Sequence, residues 1–173
     1  MSVNGSIYSY VRDHRTHHKW SDSEADPKNS NRGFFFAHIG WWLLKKDQKV
    51  IEFGKKLNYD DLWNDPFVRF QHRFYVPLVI LFAYVFPALI PLLWSEDLWT
   101  AFLSCVCIRT VVVLHHMWTV NSIAHIFGDR IYDKELRPTE NKLVVWISMG
   151  EGSHNYHHAF PVSTMALSQL ELF

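Results

Sequence analysis

Between Tyr75 and Trp94 the chain reads YVPLVILFAYVFPALIPLLW, twenty residues without a charge. At about 1.5 Å per residue such a run crosses a hydrocarbon layer of ~30 Å as a helix. Lipid offers no hydrogen bonds, so a backbone within it has to satisfy its own polar groups. Pro77, Pro87 and Pro91 predict kinks, which membrane helices tolerate. Ser95, Glu96 and Asp97 make a short polar turn, and LWTAFLSCVCIRTVVVLHHMWTV at 98–120 is a second span. Arg109, His115 and His116 interrupt it; ionisable groups at that depth are costly and usually face a protein interior or a functional cavity. Two spans joined by so short a turn form a hairpin whose ends return to one side. Residues 2–73 hold twelve lysines and arginines and the turn holds none, so the positive-inside rule places both ends in the cytosol. The expected fold is all-α, a membrane hairpin of two helices carrying a helical cap on its cytosolic side.

Two short stretches flank that hairpin, HRTHHKW at 14–20 and HNYHHAF at 154–160. With eleven histidines in 173 residues, chance predicts about 0.04 copies of His-x-x-His-His in a chain of this length. On a helix, positions i, i+3 and i+4 share a face. His14, His17 and His18 are therefore expected to converge, and so are His154, His157 and His158. The hairpin puts both clusters on the same side of the membrane, where they can meet. Neutral imidazoles are common metal ligands and suit zinc, copper, iron or nickel. Histidines on solvated helix faces are the alternative for either cluster alone, and the pairing disfavours it.

The rest of the chain narrows the field. Formal net charge is zero, so nothing suggests a nucleic-acid partner. Aromatic residues at 16%, with eight tryptophans, suit the boundary between water and lipid. Cys105 and Cys107 sit two apart in the second span, where a helix does not let them face each other, and they form no thiolate-metal pattern or disulfide framework. Residues 1–10 lack the cationic start and apolar core of a signal peptide. Residues 4–19 read as a helix, and SDSEADPKNSNRG at 21–33 as a loop by its Asp, Pro, Asn and Gly content. FFFAHIGWWLL at 34–44 is apolar but about half the length of a span. Followed by Lys45, Lys46 and Lys49, it fits a helix lying on the membrane surface.

Four stretches together, VRDHRTHHKWSDSEADPKNSNRGFFFAHIGWWLLKK, DPFVRFQHRFYVPL, MWTVNSIAHIFGDRIYDKE and GEGSHNYHHAFP, closely resemble the membrane-bound acyl-CoA desaturases. The wording is that of the stearoyl-CoA delta-9 type, in its animal and insect-like branch, and the match runs from about Ile7 to Pro161. The resemblance implies a partial desaturase fold with a non-haem di-iron centre. Its second histidine box would be His14, His17 and His18, and its third His154, His157 and His158. His125, in NSIAH, matches a further ligand, and Asn121 a residue that reaches a metal through water. Arg12 and Asp13 match positions that contact the coenzyme A head, Lys45 and Lys46 a basic pair that meets its phosphates, and Trp118 a tryptophan near the acyl entrance. The implied reaction introduces a cis double bond at carbon 9 of a saturated fatty acyl-CoA, using O2 and electrons from cytochrome b5. The implied setting is the endoplasmic reticulum membrane, multi-pass and in contact with membrane lipid. Asp13 beside His14 and Glu151 near His154 are candidates for orienting ligands. His38, His72, His115 and His116 are read as structural.

The pattern also departs from the family. A first box, His-x-x-x-x-His, and two further spans belong upstream of the second box, and VSTMALSQLELF at 162–173 does not continue as family members do. The resemblance implies nine ligand histidines, of which this chain supplies seven. The expectation is a partial desaturase domain over 1–161 with a divergent tail over 162–173, inactive by itself. The rival reading is a non-catalytic truncated isoform or a regulatory membrane partner of a full-length desaturase; a related di-iron hydroxylase is a third.

Overall fold

Charge-free apolar runs do become membrane-length helices here, and shorter helices make up much of the other described residues. The computed structural model describes residues 3–160; the tail at 162–173 lies outside them. Helices are α1 (Ile7–Lys19), α2 (Gln48–Gly54), α3 (Pro66–Arg73), the long α4 (Tyr75–Trp94) and α5 (Leu98–Ile126), α6 (Lys142–Ser148) and α7 (His154–Ala159). Among the described residues β-structure is limited to isolated bridges, Asp129 to Glu140 and Glu140 to Ser153. The described residues divide into two units, one of residues 3–15 with 55–114 and one of residues 16–54 with 115–160.

In the first unit, α3 starts where Asp65 accepts hydrogen bonds from the backbone of Phe67 and Val68, with Pro66 in the first turn. Those are the residues a helix start favours. Side chains of α3 and α4 then hold the N-terminal strand of chain. The Gln71 carbonyl accepts from Ile7 N at 2.9 Å, the Tyr75 hydroxyl accepts from Gly5 N at 2.9 Å, and His72 Nδ1 meets Ser6 Oγ at 2.7 Å.

The hairpin buries small residues and turns large ones outward. Ala83, Ala88, Ala101 and Val106 are buried, whereas Phe82, Phe86, Leu93, Trp99 and Ile108 are exposed. Water would penalise that arrangement, while lipid rewards close backbone approach through small side chains. The expected prolines do distort α4, which passes from a π-helical turn at Ile80–Val85 through Phe86–Leu89 to a 3-10 turn at Ile90–Trp94. Pro87 has no N–H, so the carbonyl of Ala83, four residues earlier, loses its helical donor. Arg109 on α5 supplies one, its Nη2 donating to Ala83 O at 2.5 Å. The intramembrane arginine thus completes the backbone that the proline breaks.

In the second unit α5 runs on past the expected end at residue 120 to Ile126, because NSIAH is buried in protein and not in lipid: Asn121, Ser122, Ala124 and His125 are all buried. Val120 and Ala124 pack with Val144 of α6. The loop between α5 and α6 is tied down by Thr139, whose hydroxyl meets the carbonyls of Ala124 and Phe127 at 2.8 Å each. α7 is seated by Asn155, which is fully buried. Its carbonyl accepts from Tyr132 N and Asp133 N, and its amide donates to Asp133 O and Pro138 O. The expected helix at 34–44 is a π-helical turn, Phe36–Gly40, running into Trp41–Leu43, with Phe35, Trp42, Leu43 and Leu44 exposed and Ala37 and Gly40 buried.

Candidate metal centre

Three separate pieces of the second unit each bring histidine to one buried point. α1 contributes His17, α5 His125, and α7 His154 with His158. One ring nitrogen of each lies within 4.8 Å of all the others, and all four residues are buried. His125 Nε2 stands 3.0 Å from His154 Nε2, which stands 3.2 Å from His158 Nε2. An imidazole nitrogen carries either a hydrogen or a lone pair, never both. His154 Nε2 therefore cannot serve as acceptor on one side and donor on the other, and the two short approaches cannot both be ordinary two-centre hydrogen bonds. Its other nitrogen, Nδ1, is buried without a hydrogen-bond partner. Two nitrogens bound to one ion at ~2.1 Å stand roughly 3.0–3.4 Å apart, which is the spacing seen.

Two carboxylates set the tautomers. His17 Nδ1 meets Asp26 Oδ1 at 2.9 Å, and His125 Nδ1 meets Asp22 Oδ2 at 3.0 Å. A hydrogen held on Nδ1 leaves the Nε2 lone pair for a metal, the arrangement that raises ligand basicity and fixes the ring. Both carboxylates come from the loop after α1, and neither was among the expected orienting groups. Asp13 instead pairs with Arg12 at 3.1 Å, and Glu151 is exposed. Asp22 also accepts from Ser30 N and Oγ, and Asp26 from the backbone of Asp22 and Lys28.

The electrostatics favour neutral imidazoles. Burial above all, then the neighbouring histidines, pushes His17, His154 and His158 well below the ordinary histidine range. His18 falls to about 3 for the same reasons, burial first and His157 next. The two carboxylates differ. Burial works to raise Asp22, but hydrogen bonds from His125 and Ser30 outweigh it and hold the group well below the carboxylate range. Burial pushes Asp26 up to about 7, against its backbone donors. Neutral nitrogen donors, dry surroundings and carboxylate-fixed tautomers together fit a metal ion of the kind that imidazole prefers.

The histidine boxes do not converge as blocks. His17 and His18 are neighbours, about 100° apart around a helix, and they part company. His18 Nε2 meets His157 Nε2 at 2.9 Å, and its ring stacks on His158 at 4.2 Å between centroids. Each box thus sends members to two places. His14, one turn before His18, belongs to the first unit, where its ring stacks on Tyr10 at 5.7 Å.

Asn121 lies buried near the end of α5. Its Oδ1 accepts from Lys28 Nζ at 3.0 Å and its Nδ2 donates to Met117 O at 3.3 Å. Trp118 is buried beside Trp42, His115 and His38, and its indole N–H has no partner. His38 joins Ser122 at 2.9 Å and His115 at 3.0 Å. Lys45 and Lys46 line a cavity of about 430 Å³ together with Arg32, Asn31, Trp41 and Lys49. Arg12 and Asp13 lie in the first unit, so these four expected substrate residues are not gathered in one unit.

The model for the fatty acid desaturase family matches residues 1–172. This chain belongs to the fatty acid desaturase family. Its similarity to individual members is high. Acyl-CoA desaturase 1 of Tachysurus fulvidraco is 50% identical over 162 residues, 93% of this chain and 49% of the relative. Stearoyl-CoA desaturase 5 of Bos taurus is 47% identical over the same share of this chain and 48% of its own. The delta(9)-fatty-acid desaturase fat-7 of Caenorhabditis elegans is 44% identical, again with 48% of its length covered. The chain therefore spans about half the length of the relatives it matches. The family is one of oxidoreductases, and the two membrane-length helices of this chain suit a membrane protein.

Proposed function

We propose that these residues are part of an acyl-CoA desaturase of the delta-9 type, and that His17, His125, His154 and His158 hold one iron of a di-iron centre. The observation that carries the reading is the convergence of four buried imidazole nitrogens, two of them with tautomers fixed by Asp22 and Asp26. His18 and His157, 2.9 Å apart, with His14 on the same face of α1 as His18, would serve the second iron. Bound iron supplies the oxidant, made from O2, that removes hydrogen from an unactivated methylene. The protein's part is to hold neutral donors in place, keep water away and present the acyl chain. Trp118, whose buried indole N–H has no hydrogen-bond partner, would stand near the acyl entrance. Lys45 and Lys46 would meet coenzyme A phosphates as point charges, with Arg12 and Asp13 at its head. The names of the relatives support an acyl-CoA substrate. Cytochrome b5 as electron donor, the endoplasmic reticulum and cytosolic termini complete the proposal.

The test is a chimaera joining this chain to the half of the Tachysurus fulvidraco relative that it does not cover. In yeast lacking its own delta-9 desaturase, the chimaera should restore growth without added unsaturated fatty acid, with palmitoleate or oleate in the lipids. His154→Ala in the chimaera should abolish rescue. Failure of an expressed chimaera where the relative itself rescues would contradict the proposal.

A further inference from the structure

Away from the buried set, a second pair of imidazoles meets within the second unit. His115, Trp118 and Ser122 stand at i, i+3 and i+7 on one face of α5, and His38 lies across that face. Its Nδ1 meets Ser122 Oγ at 2.9 Å and its Nε2 meets His115 Nδ1 at 3.0 Å. Ser122 donates its one hydroxyl hydrogen to Trp118 O at 2.9 Å, so towards His38 it accepts. His38 Nδ1 therefore carries the ring hydrogen, and Nε2 turns a lone pair to His115. Burial first, and His115 next, hold His38 below the ordinary histidine range, which keeps that lone pair free of a proton at neutral pH. Phe34 stacks on the His38 ring at 5.5 Å between centroids, and the buried Trp118 stands edge-on to it at 5.9 Å.

We propose that His38 and His115 form an exchangeable binding site for a zinc or copper(II) ion, separate from the buried centre. Two nitrogens bound to one ion at ~2.1 Å stand roughly 3.0–3.4 Å apart, so the two rings already have the spacing of a clamp. His115 makes no other hydrogen bond among the described residues. Its ring hydrogen can move to Nε2, and two lone pairs then meet on the ion. Neutral imidazole is a donor that suits zinc and copper, and a partner on the far nitrogen fixes the ligating tautomer, as Ser122 does for His38. Unlike His17 and His125, neither ring has a carboxylate partner, and His115 is exposed. Two protein ligands and an open side leave the ion easy to remove, whereas the four buried histidines enclose theirs. The proposal does not depend on the reading of those four histidines as a metal site.

Copper(II) is the probe, because nitrogen sites bind it more tightly than other divalent first-row ions and its spin resonance reports the nitrogens attached to it. The full 173-residue chain in detergent is loaded with copper(II) alone, freed of excess and exposed briefly to a chelator. The copper released in that time should be lower by one equivalent per chain in His38→Ala and in His115→Ala than in wild type. The missing copper should carry the signature of two bound nitrogens. The same difference should persist when both chains also carry His154→Ala, which disrupts the buried set. His116→Ala, a neighbour outside the pair, should release as much as wild type. Ser122→Ala should hold the exchangeable copper about 10-fold more weakly, within the range by which outer partners change metal affinity. Equal release from wild type and either single variant would overturn the proposal, and so would an equal drop in His116→Ala. Disappearance of the difference in the His154→Ala background would also overturn it, because the copper would then belong to the buried centre. Should His38→Ala not fold, His115→Ala decides alone, since it replaces an exposed side chain.

Discussion

At the scale of single residues the centre depends on carboxylates that no histidine motif announces. Asp22 and Asp26 lie in SDSEADPKN, whose composition marks a turn and nothing more. Asp22 reaches His125 from 103 positions away in the chain, a distance that spacing rules cannot bridge. Losing such an orienting partner typically costs ~10–100-fold in metal affinity. Asp22→Ala should therefore weaken metal binding by about that factor, while Asp22→Asn, which keeps an oxygen to accept from Nδ1, should weaken it less. Competition against a chelator of known affinity checks this. Equal affinity in wild type and Asp22→Ala would show that the hydrogen bond is incidental. The histidines themselves were legible, because two copies of a rare pattern point to one chemistry. Their division was not: helical spacing places i+3 and i+4 about 100° apart, and only the packing of α5 and α7 decides which of His17 and His18 joins which partners.

At the scale of elements, the membrane hairpin was readable almost completely, because uncharged length is its main requirement. The purpose of Arg109 was readable only as a cost. Its role follows from Pro87, which removes the donor to Ala83 O, and that pairing needs two helices side by side. A buried carbonyl without a partner costs ~1–3 kcal/mol. Arg109→Leu should destabilise the hairpin by about that much, and Pro87→Ala should offset a substantial part of the loss by returning the backbone N–H. Unfolding in detergent measures the double-mutant cycle, and strict additivity of the two changes would contradict the pairing. The far end of α5 was underestimated because NSIAH looks too polar for lipid. Those residues are buried by Thr139, Val144 and their neighbours instead, so hydropathy stops short where the helix does not.

At the scale of the whole molecule, the chain is a member of the fatty acid desaturase family with two membrane-length helices, and its second unit gathers the ends of α1 and α5 with α7 around one buried set of histidines. Family likeness made that convergence expected; Asn155, Thr139 and the two aspartates explain how it is held. The account stands on the claim that His17, His125, His154 and His158 bind a metal together. The most direct measurement is the iron content of purified protein after equilibration at limiting free iron, for wild type and for each of the four alanine variants. His72→Ala, which alters a histidine bonded to Ser6 in the first unit, is the control. Wild type and the control should retain the same tightly held iron, and each of the four variants should lose most of it. Iron content indifferent to all four substitutions would contradict the account.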